Sequence, residues 1–139
     1  MNTINWNRVL LGGLLAGGII NVSEFITNGI VLVRQWEIAM KTLGRSMSNR
    51  ALVSFAILGF VSGITVVLLY ATARPRFGPG AKTAVLAGFV FWIIGYVLPS
   101  LGFSAAGLLP TRLLIIGTML GLVEVTLASV AGAWLYKEN

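Results

Sequence analysis

The sequence predicts an all-α integral membrane protein in which four transmembrane helices form a bundle. Hydrophobic residues make up 57% of the 139 residues and charged residues only 10%, whereas about 25% of an ordinary soluble domain is charged. A water-soluble fold of this length cannot bury so much apolar surface, so lipid must be the solvent. Four apolar stretches within a single membrane domain, residues 1–139, are long enough to cross a bilayer. They cover approximately residues 9–33, 51–73, 84–101 and 113–136.

The first apolar stretch follows Trp6 and Arg8, an aromatic residue and a cation of the kind that anchor a helix at the membrane interface. A cleaved signal peptide is the competing interpretation, because a basic residue precedes an apolar run. Glu24 lies inside the stretch, and no clear small-residue cleavage site follows it. We therefore expect an uncleaved transmembrane helix.

Residues 34–50 differ in character from the stretch before them. Four apolar side chains recur at spacings of four, three and four residues, while the basic residues lie mostly away from them. These apolar residues are Trp36, Met40, Leu43 and Met47. The pattern predicts a short amphipathic, interfacial helix with its cations toward the lipid headgroups. A solvated linker is the alternative that remains open.

The second stretch, residues 51–73, contains the pair Gly59 and Gly63. This GxxxG spacing allows another helix to approach the backbone closely. Tyr70 lies toward the far end, where aromatic residues are common in membrane helices. We therefore predict a transmembrane helix with one face suited to close packing.

The connection between the second and third stretches, residues 74–83, is basic and rich in proline and glycine. We expect Pro75 to end the preceding helix, Pro79 and Gly80 to form a type II turn, and Thr83 to cap the next helix. The three cations of this connection predict topogenic contacts with anionic lipid headgroups. They are Arg74, Arg76 and Lys82.

The third and fourth stretches are joined by an uncharged, rather apolar segment, residues 100–110. With this composition, the segment could lie in the membrane interface, fold back toward the bundle, or be covered by another protein. Thr111 follows Pro110 at the expected start of the last helix, where its side chain is suited to the N-cap position.

Two motifs resemble those of a group of small, uncharacterised bacterial integral membrane proteins. One is Y-x3-RPRFGPGAKTA, which starts at Tyr70, and the other is GAWLYKE, residues 132–138. Together with the Glu-bearing first and last helices, they extend the resemblance over most of the chain. The resemblance implies a four-helix membrane fold, and it implies no activity, cofactor or catalytic residue.

Four spans place both termini and the 74–82 connection on one side of the membrane. The ten basic residues divide equally between the two sides, so the positive-inside rule does not select an orientation. The uncharged 100–110 segment suits the exterior and the basic connection suits the cytoplasm. We therefore expect a multi-pass protein of the cell inner (cytoplasmic) membrane with both termini in the cytoplasm. A chain that inserts in both orientations is the alternative.

Two polar stripes with the same spacing occur inside the first and last stretches. Each contains residues separated by four, three and four positions, which places them on one helix face. Gly17, Asn21, Glu24 and Asn28 form the first stripe, and Gly117, Gly121, Glu124 and Ala128 form the second. The two carboxyl groups differ in height by roughly 3 Å at helical rise. Adjacent antiparallel helices would therefore bring them together near the bilayer centre.

Two interpretations of these carboxyl groups remain open. In the first, one or both are protonated and join helices by hydrogen bonds, with Asn21 and Asn28 as partners. In the second, Glu24 and Glu124 share a proton or hold a cation, because two close carboxylates in a low dielectric do not both stay ionised. The small residues predict close helix packing in either case. They are Gly17, Gly59, Gly63, Gly117 and Gly121.

The residue inventory excludes several kinds of chemistry. The chain has no cysteine and no histidine, and its four acidic residues are all Glu. Disulfide and thiolate chemistry, the strongest zinc sites and His-ligated haem are therefore excluded. No nucleophile–base pair can be named, so we expect no enzyme, no metal and no cofactor. The chain has a net charge of +6, and its basic residues flank the apolar stretches. This position favours the lipid bilayer and its anionic headgroups over nucleic acid as the partner.

The sequence favours a non-enzymatic accessory or structural subunit that packs against other membrane proteins or copies of itself. Glycine-rich faces and little extramembrane mass support that role. The alternative is a small proton- or cation-coupled transporter that uses Glu24 and Glu124. A lipid-modifying enzyme or a pigment- or quinone-binding protein has less support, because no reactive or ligating residue set is present.

Overall fold

A computed structural model describes residues 3–138, and all regular secondary structure in that range is helical. Residues 3–138 form six α-helices, and two π-helical turns interrupt the membrane-spanning ones. The elements are α1 (Trp6–Ile26), a π turn (Thr27–Val31), α2 (Val33–Thr42), α3 (Asn49–Phe77), α4 (Ala81–Trp92), a second π turn (Ile93–Val97), α5 (Leu98–Ala105) and α6 (Thr111–Leu135).

Four helical rods are long and apolar enough to cross a membrane. They are span 1 (Trp6–Val31), span 2 (Asn49–Phe77), span 3 (Ala81–Ala105) and span 4 (Thr111–Leu135). The predicted fold class is therefore confirmed, although each span begins at least two residues before its predicted boundary. The short helix α2 lies between spans 1 and 2. It begins one residue before the segment predicted to be amphipathic, residues 34–50, and ends inside it.

The spans form a ring in which each rod packs against its neighbours in the chain and span 4 closes against span 1. At one end of the bundle, the backbone N–H of Asn5 donates to the hydroxyl of Tyr136 over 3.3 Å. The backbone N–H of Gly80 donates to the hydroxyl of Tyr70 at the same end, over 3.1 Å. We call this the termini end. At the opposite end, which we call the α2 end, Trp36 packs with Leu113.

Spans 1 and 2 approach each other through glycine. A Cβ atom added at Gly63 would lie 2.5 Å from the carbonyl oxygen of Gly13, and one added at Gly17 would lie 2.7 Å from the Cα atom of Phe60. Real Cβ atoms do not approach other atoms so closely, so these positions require glycine. The GxxxG glycine Gly59 also faces span 1, because a Cβ atom there would lie 2.5 Å from Oδ1 of Asn21.

Spans 1 and 4 also meet closely, in the half of the bundle nearer the termini end. A Cβ atom added at Gly12 would lie 2.5 Å from the carbonyl oxygen of Gly132. In the same half, Ser129 is fully buried and its hydroxyl donates to the carbonyl oxygen of Ala84 over 2.6 Å. Small side chains thus replace bulky core residues where membrane helices must pack backbone to backbone.

The basic connection differs from its prediction at three points. Helix α3 continues through Pro75 to Phe77, because a proline in the last helical turn removes only one backbone hydrogen bond. Gly80 has a φ of 119° and a ψ of −176°, which are not the angles of a type II turn. Thr83 lies inside α4 rather than at its cap, and its hydroxyl donates to the carbonyl oxygen of Gly78 over 2.7 Å.

Two further predictions of helix boundaries were wrong. Thr111 is the first residue of α6 and Pro110 holds the cap position without a side-chain hydrogen bond. Helix α2 ends at Thr42, so Met47 lies outside it. Gly44, which has a φ of 67°, adopts a left-handed conformation that favours glycine and turns the chain toward span 2.

Candidate intramembrane carboxylate site

The two membrane-embedded carboxyl groups lie on adjacent antiparallel helices and face the inside of the bundle. Glu24 projects from α1 and is half-buried, whereas Glu124 projects from α6 and is only 4% exposed. A carboxyl group removed from water requires hydrogen-bond partners, since an unpaired buried charge is very costly. The partners are Tyr96 of span 3 and Asn28 in the π turn of span 1.

Tyr96 of span 3 stands between the two carboxyl groups. Its hydroxyl oxygen lies 2.7 Å from Oε1 of Glu124 and 3.2 Å from Oε1 of Glu24. A phenol has one hydrogen to donate, and its oxygen can also accept. When the phenol donates to Glu124, a protonated Glu24 completes the second hydrogen bond by donating to the phenol oxygen. The arrangement therefore suits two carboxyl groups that share one negative charge and one proton.

Asn28 and Trp36 extend this network toward the α2 end. The amide nitrogen of Asn28 donates to Oε2 of Glu24. The indole N–H of Trp36 donates to Oδ1 of Asn28 over 2.8 Å. We call the connected side chains Trp36, Asn28, Glu24, Tyr96 and Glu124 the polar chain. It joins the surface helix to the bundle interior in four hydrogen-bonded steps.

The two π turns present two members of the polar chain. Asn28 lies in the turn Thr27–Val31, and Tyr96 lies in the turn Ile93–Val97. A π turn holds an extra residue compared with an α-helical turn, so it changes the direction of the side chains that follow. Such turns are frequent at functional sites, and here each one contains a side chain bonded to Glu24.

Gly121 makes room for the ring of Tyr96. A Cβ atom added at Gly121 would lie 2.5 Å from Cε1 and 3.1 Å from Cγ of that ring. This glycine belongs to the predicted stripe on span 4, and its role is to accommodate the bridging phenol. Gly117, one turn earlier, is different, because no atom lies within 4 Å of its Cβ position.

Asn21, although predicted beside Glu24, bonds elsewhere. Its amide nitrogen donates to the carbonyl oxygen of Ala56 on α3 over 3.1 Å. Asn21 therefore joins spans 1 and 2, next to Gly59, while Asn28 alone of the two asparagines bonds to Glu24. The stripe thus contains helix-packing residues followed by residues of the polar chain.

The predicted lipid-contacting cations lie at the termini end, away from the polar chain. Arg76 and Lys82 are exposed. Arg74 is half-buried and forms an ion pair with Glu138 at 3.7 Å, and its guanidinium lies 5.7 Å from the centre of the Tyr136 ring. Arg74 therefore holds the C-terminal segment against the bundle.

No family model matches the chain, and no curated protein or solved structure matches it.

Sequence analysis did not identify Tyr96 and Trp36 as site residues. The sequence does offer one sign of the role of Tyr96, because it places a side chain that forms hydrogen bonds in the middle of an apolar span. Trp36 fitted the apolar stripe of an amphipathic helix, and nothing in its spacing indicated that its N–H group would bond to Asn28. In the residues that the structure describes, no group of three or more metal-binding side chains is present.

Proposed function

We propose that this chain is a small, non-enzymatic membrane transporter that moves protons through a site formed by Glu24 and Glu124. The observation that carries the proposal is the position of the Tyr96 hydroxyl, within hydrogen-bond distance of both carboxyl groups. Ionisable side chains inside membrane helices are costly and typically belong to ion or proton pathways. Because of this network, we place the transporter, which the sequence ranks second, ahead of the accessory subunit.

A proton suits this site better than a larger cation. The Tyr96 hydroxyl lies within hydrogen-bond distance of one oxygen of each carboxyl group, so a single proton can be held by contacts that already exist. Protons can pass between hydrogen-bonded groups with small rearrangements of the donor and acceptor side chains. Glu24, Tyr96 and Glu124 are therefore the residues assigned to proton binding.

Replacement of either carboxyl group should reduce proton uptake into liposomes that contain the purified protein. With a valinomycin-generated potential and an internal pH dye, we expect Glu24→Gln and Glu124→Gln each to lower the rate by about tenfold or more. The matched control is Glu37→Gln, since Glu37 is exposed on α2. Wild-type rates in both site variants would disprove the proposed function.

An accessory subunit is the second candidate, and the surface of span 3 supports it. Helix α5 has no buried residue, and Leu101 and Phe103 are 62% and 45% exposed. The uncharged segment that follows extends this apolar surface at the α2 end. A partner membrane protein or a second copy could cover it, although lipid is also a suitable neighbour.

Native mass spectrometry of the protein released from membranes in mild detergent tests this second role. A subunit should retain its partner or a second copy at fixed stoichiometry, and Leu101→Ser should release it. Leu52→Ser, at a similarly exposed site on span 2, is the control. A monomer under all conditions would contradict the accessory role and would leave the transporter as the remaining candidate.

We further propose the cytoplasmic membrane of a bacterium as the location, with both termini in the cytoplasm. The exposed cations Arg76 and Lys82 would then contact anionic headgroups of the inner leaflet. Reporter fusions at residue 139 and within residues 44–48 should give opposite signals. An external reporter at residue 139 would reverse the orientation.

A further inference from the structure

We infer that Trp36 of the surface helix is a positioning residue for the carboxyl pair, acting through the amide of Asn28. The inference builds on the proposed proton site and adds a residue and a route to it. Its basis is the donor and acceptor capacity of the side chains in the polar chain.

The orientation of the Asn28 amide follows from its two neighbours. An indole N–H can only donate, so the group facing Trp36 must be the amide oxygen. The Nε1–Oδ1 distance of 2.8 Å agrees with such a bond. The amide NH2 group must then face Glu24, where it donates to Oε2. Trp36 thus determines which end of Asn28 meets the carboxyl group.

This orientation favours one protonation pattern at Glu24. An NH2 donor at Oε2 stabilises an unprotonated oxygen there, which leaves Oε1, the atom beside Tyr96, as the position for a shared proton. If the amide reversed, its carbonyl oxygen would face Oε2 and would require a proton on that atom. The indole N–H therefore directs proton exchange toward Tyr96 and Glu124.

Trp36 is itself held against the α2 end of the bundle. It packs on a small buried cluster formed by Leu32, Ala39 and Leu113, to which Leu109 and Ile116 also contribute. Movement of α2 away from this cluster would withdraw the indole from Asn28. The position of the surface helix is thereby linked to the proton position inside the membrane.

The titratable groups around the polar chain are few. Tyr96 and Glu124 face Glu24 from spans 3 and 4, and span 2 has no titratable side chain between Arg50 and Tyr70. The charged groups nearest Trp36 in the chain and at the start of α6 are exposed. They are Arg34, Glu37, Lys41 and Arg112.

The test uses the indole N–H signals of the full-length protein in lipid nanodiscs. The four tryptophans, labelled with ¹⁵N and assigned by single Phe substitutions, are followed by NMR as the pH is changed. We expect the Trp36 signal to move with pH in the wild type and to stay fixed in Glu24→Gln. Trp92 is an internal control, because its indole donates to the carbonyl oxygen of Thr118 over 2.7 Å.

A fixed Trp36 signal in the wild type, or an equal movement in Glu24→Gln, would overturn the inference. In liposomes, Trp36→Phe should shift the pH profile of proton uptake by about one pH unit, whereas Trp92→Phe should not. In an Asn28→Leu background, Trp36→Phe should cause no further shift of the pH profile, because both changes break the same hydrogen-bonded connection between Trp36 and Glu24. If liposomes take up no protons, the proposed function fails while the NMR result still decides the role of Trp36.

Discussion

Gly63→Ala is expected to destabilise the folded bundle by about 3 kcal/mol, at the upper end of the usual cost of overpacking. The added methyl group would lie 2.5 Å from the carbonyl oxygen of Gly13. Backbone atoms cannot rotate away as a side chain can, so the two helices must separate along their contact. The free energy of unfolding, obtained by titration with denaturing detergent in mixed micelles, measures the effect.

Gly18→Ala is the matched control for this change. Gly18 is also a helical glycine, and no atom lies within 4 Å of its Cβ position. A methyl group there meets open space, so the stability should change little or increase slightly through helix propensity. Equal destabilisation by the two substitutions would show that spans 1 and 2 are not packed as described.

Gly121→Ala should lower proton uptake by about tenfold or more while the bundle stays folded. The methyl group would meet the ring of Tyr96, with Cε1 at 2.5 Å. The ring must move away, and its hydroxyl then loses its hydrogen bonds to both carboxyl groups. Because a side chain rather than backbone is displaced, we expect the loss of uptake to exceed the loss of stability. Liposome flux and detergent unfolding of the same preparation measure the two quantities.

The neighbouring Gly117→Ala serves as the control, since its Cβ position is open. It adds the same atom to the same helix, one turn earlier, without touching Tyr96. Full proton uptake in Gly121→Ala would mean that the Tyr96 hydroxyl is not required, and the assignment of the bridge would be wrong.

The spans could be predicted from hydropathy because membrane length and apolar composition allow few alternatives. Residues 51–73 and 113–136 are apolar enough to identify spans 2 and 4 directly. The facing positions of Glu24 and Glu124 were also within reach, since helical rise and antiparallel pairing fix relative heights. These inferences depend on regular α-helical geometry.

The polar chain could not be predicted in full because it depends on irregular geometry. Regular helical spacing places Asn28 on the face of Glu24, and the two side chains are bonded. Tyr96 lies in a π turn, which changes the direction of side chains relative to a regular α-helix, so its position beside both carboxyl groups does not follow from spacing. Asn21 was grouped with Glu24 because the wheel places both on one face, yet its amide bonds to Ala56 of the neighbouring helix. Local spacing alone does not show which neighbour a polar side chain meets.

The uneven distribution of close packing along the bundle has a mechanical consequence. Backbone-to-backbone contacts such as Gly12 with Gly132 lie toward the termini end, whereas both π turns and the unburied helix α5 lie toward the α2 end. Span 1 is therefore packed more closely against its neighbours in the half nearer the termini end than span 3 is in the half nearer the α2 end. Separation of span 3 from span 4 at the α2 end would leave in place the backbone glycine contacts that join span 1 to spans 2 and 4.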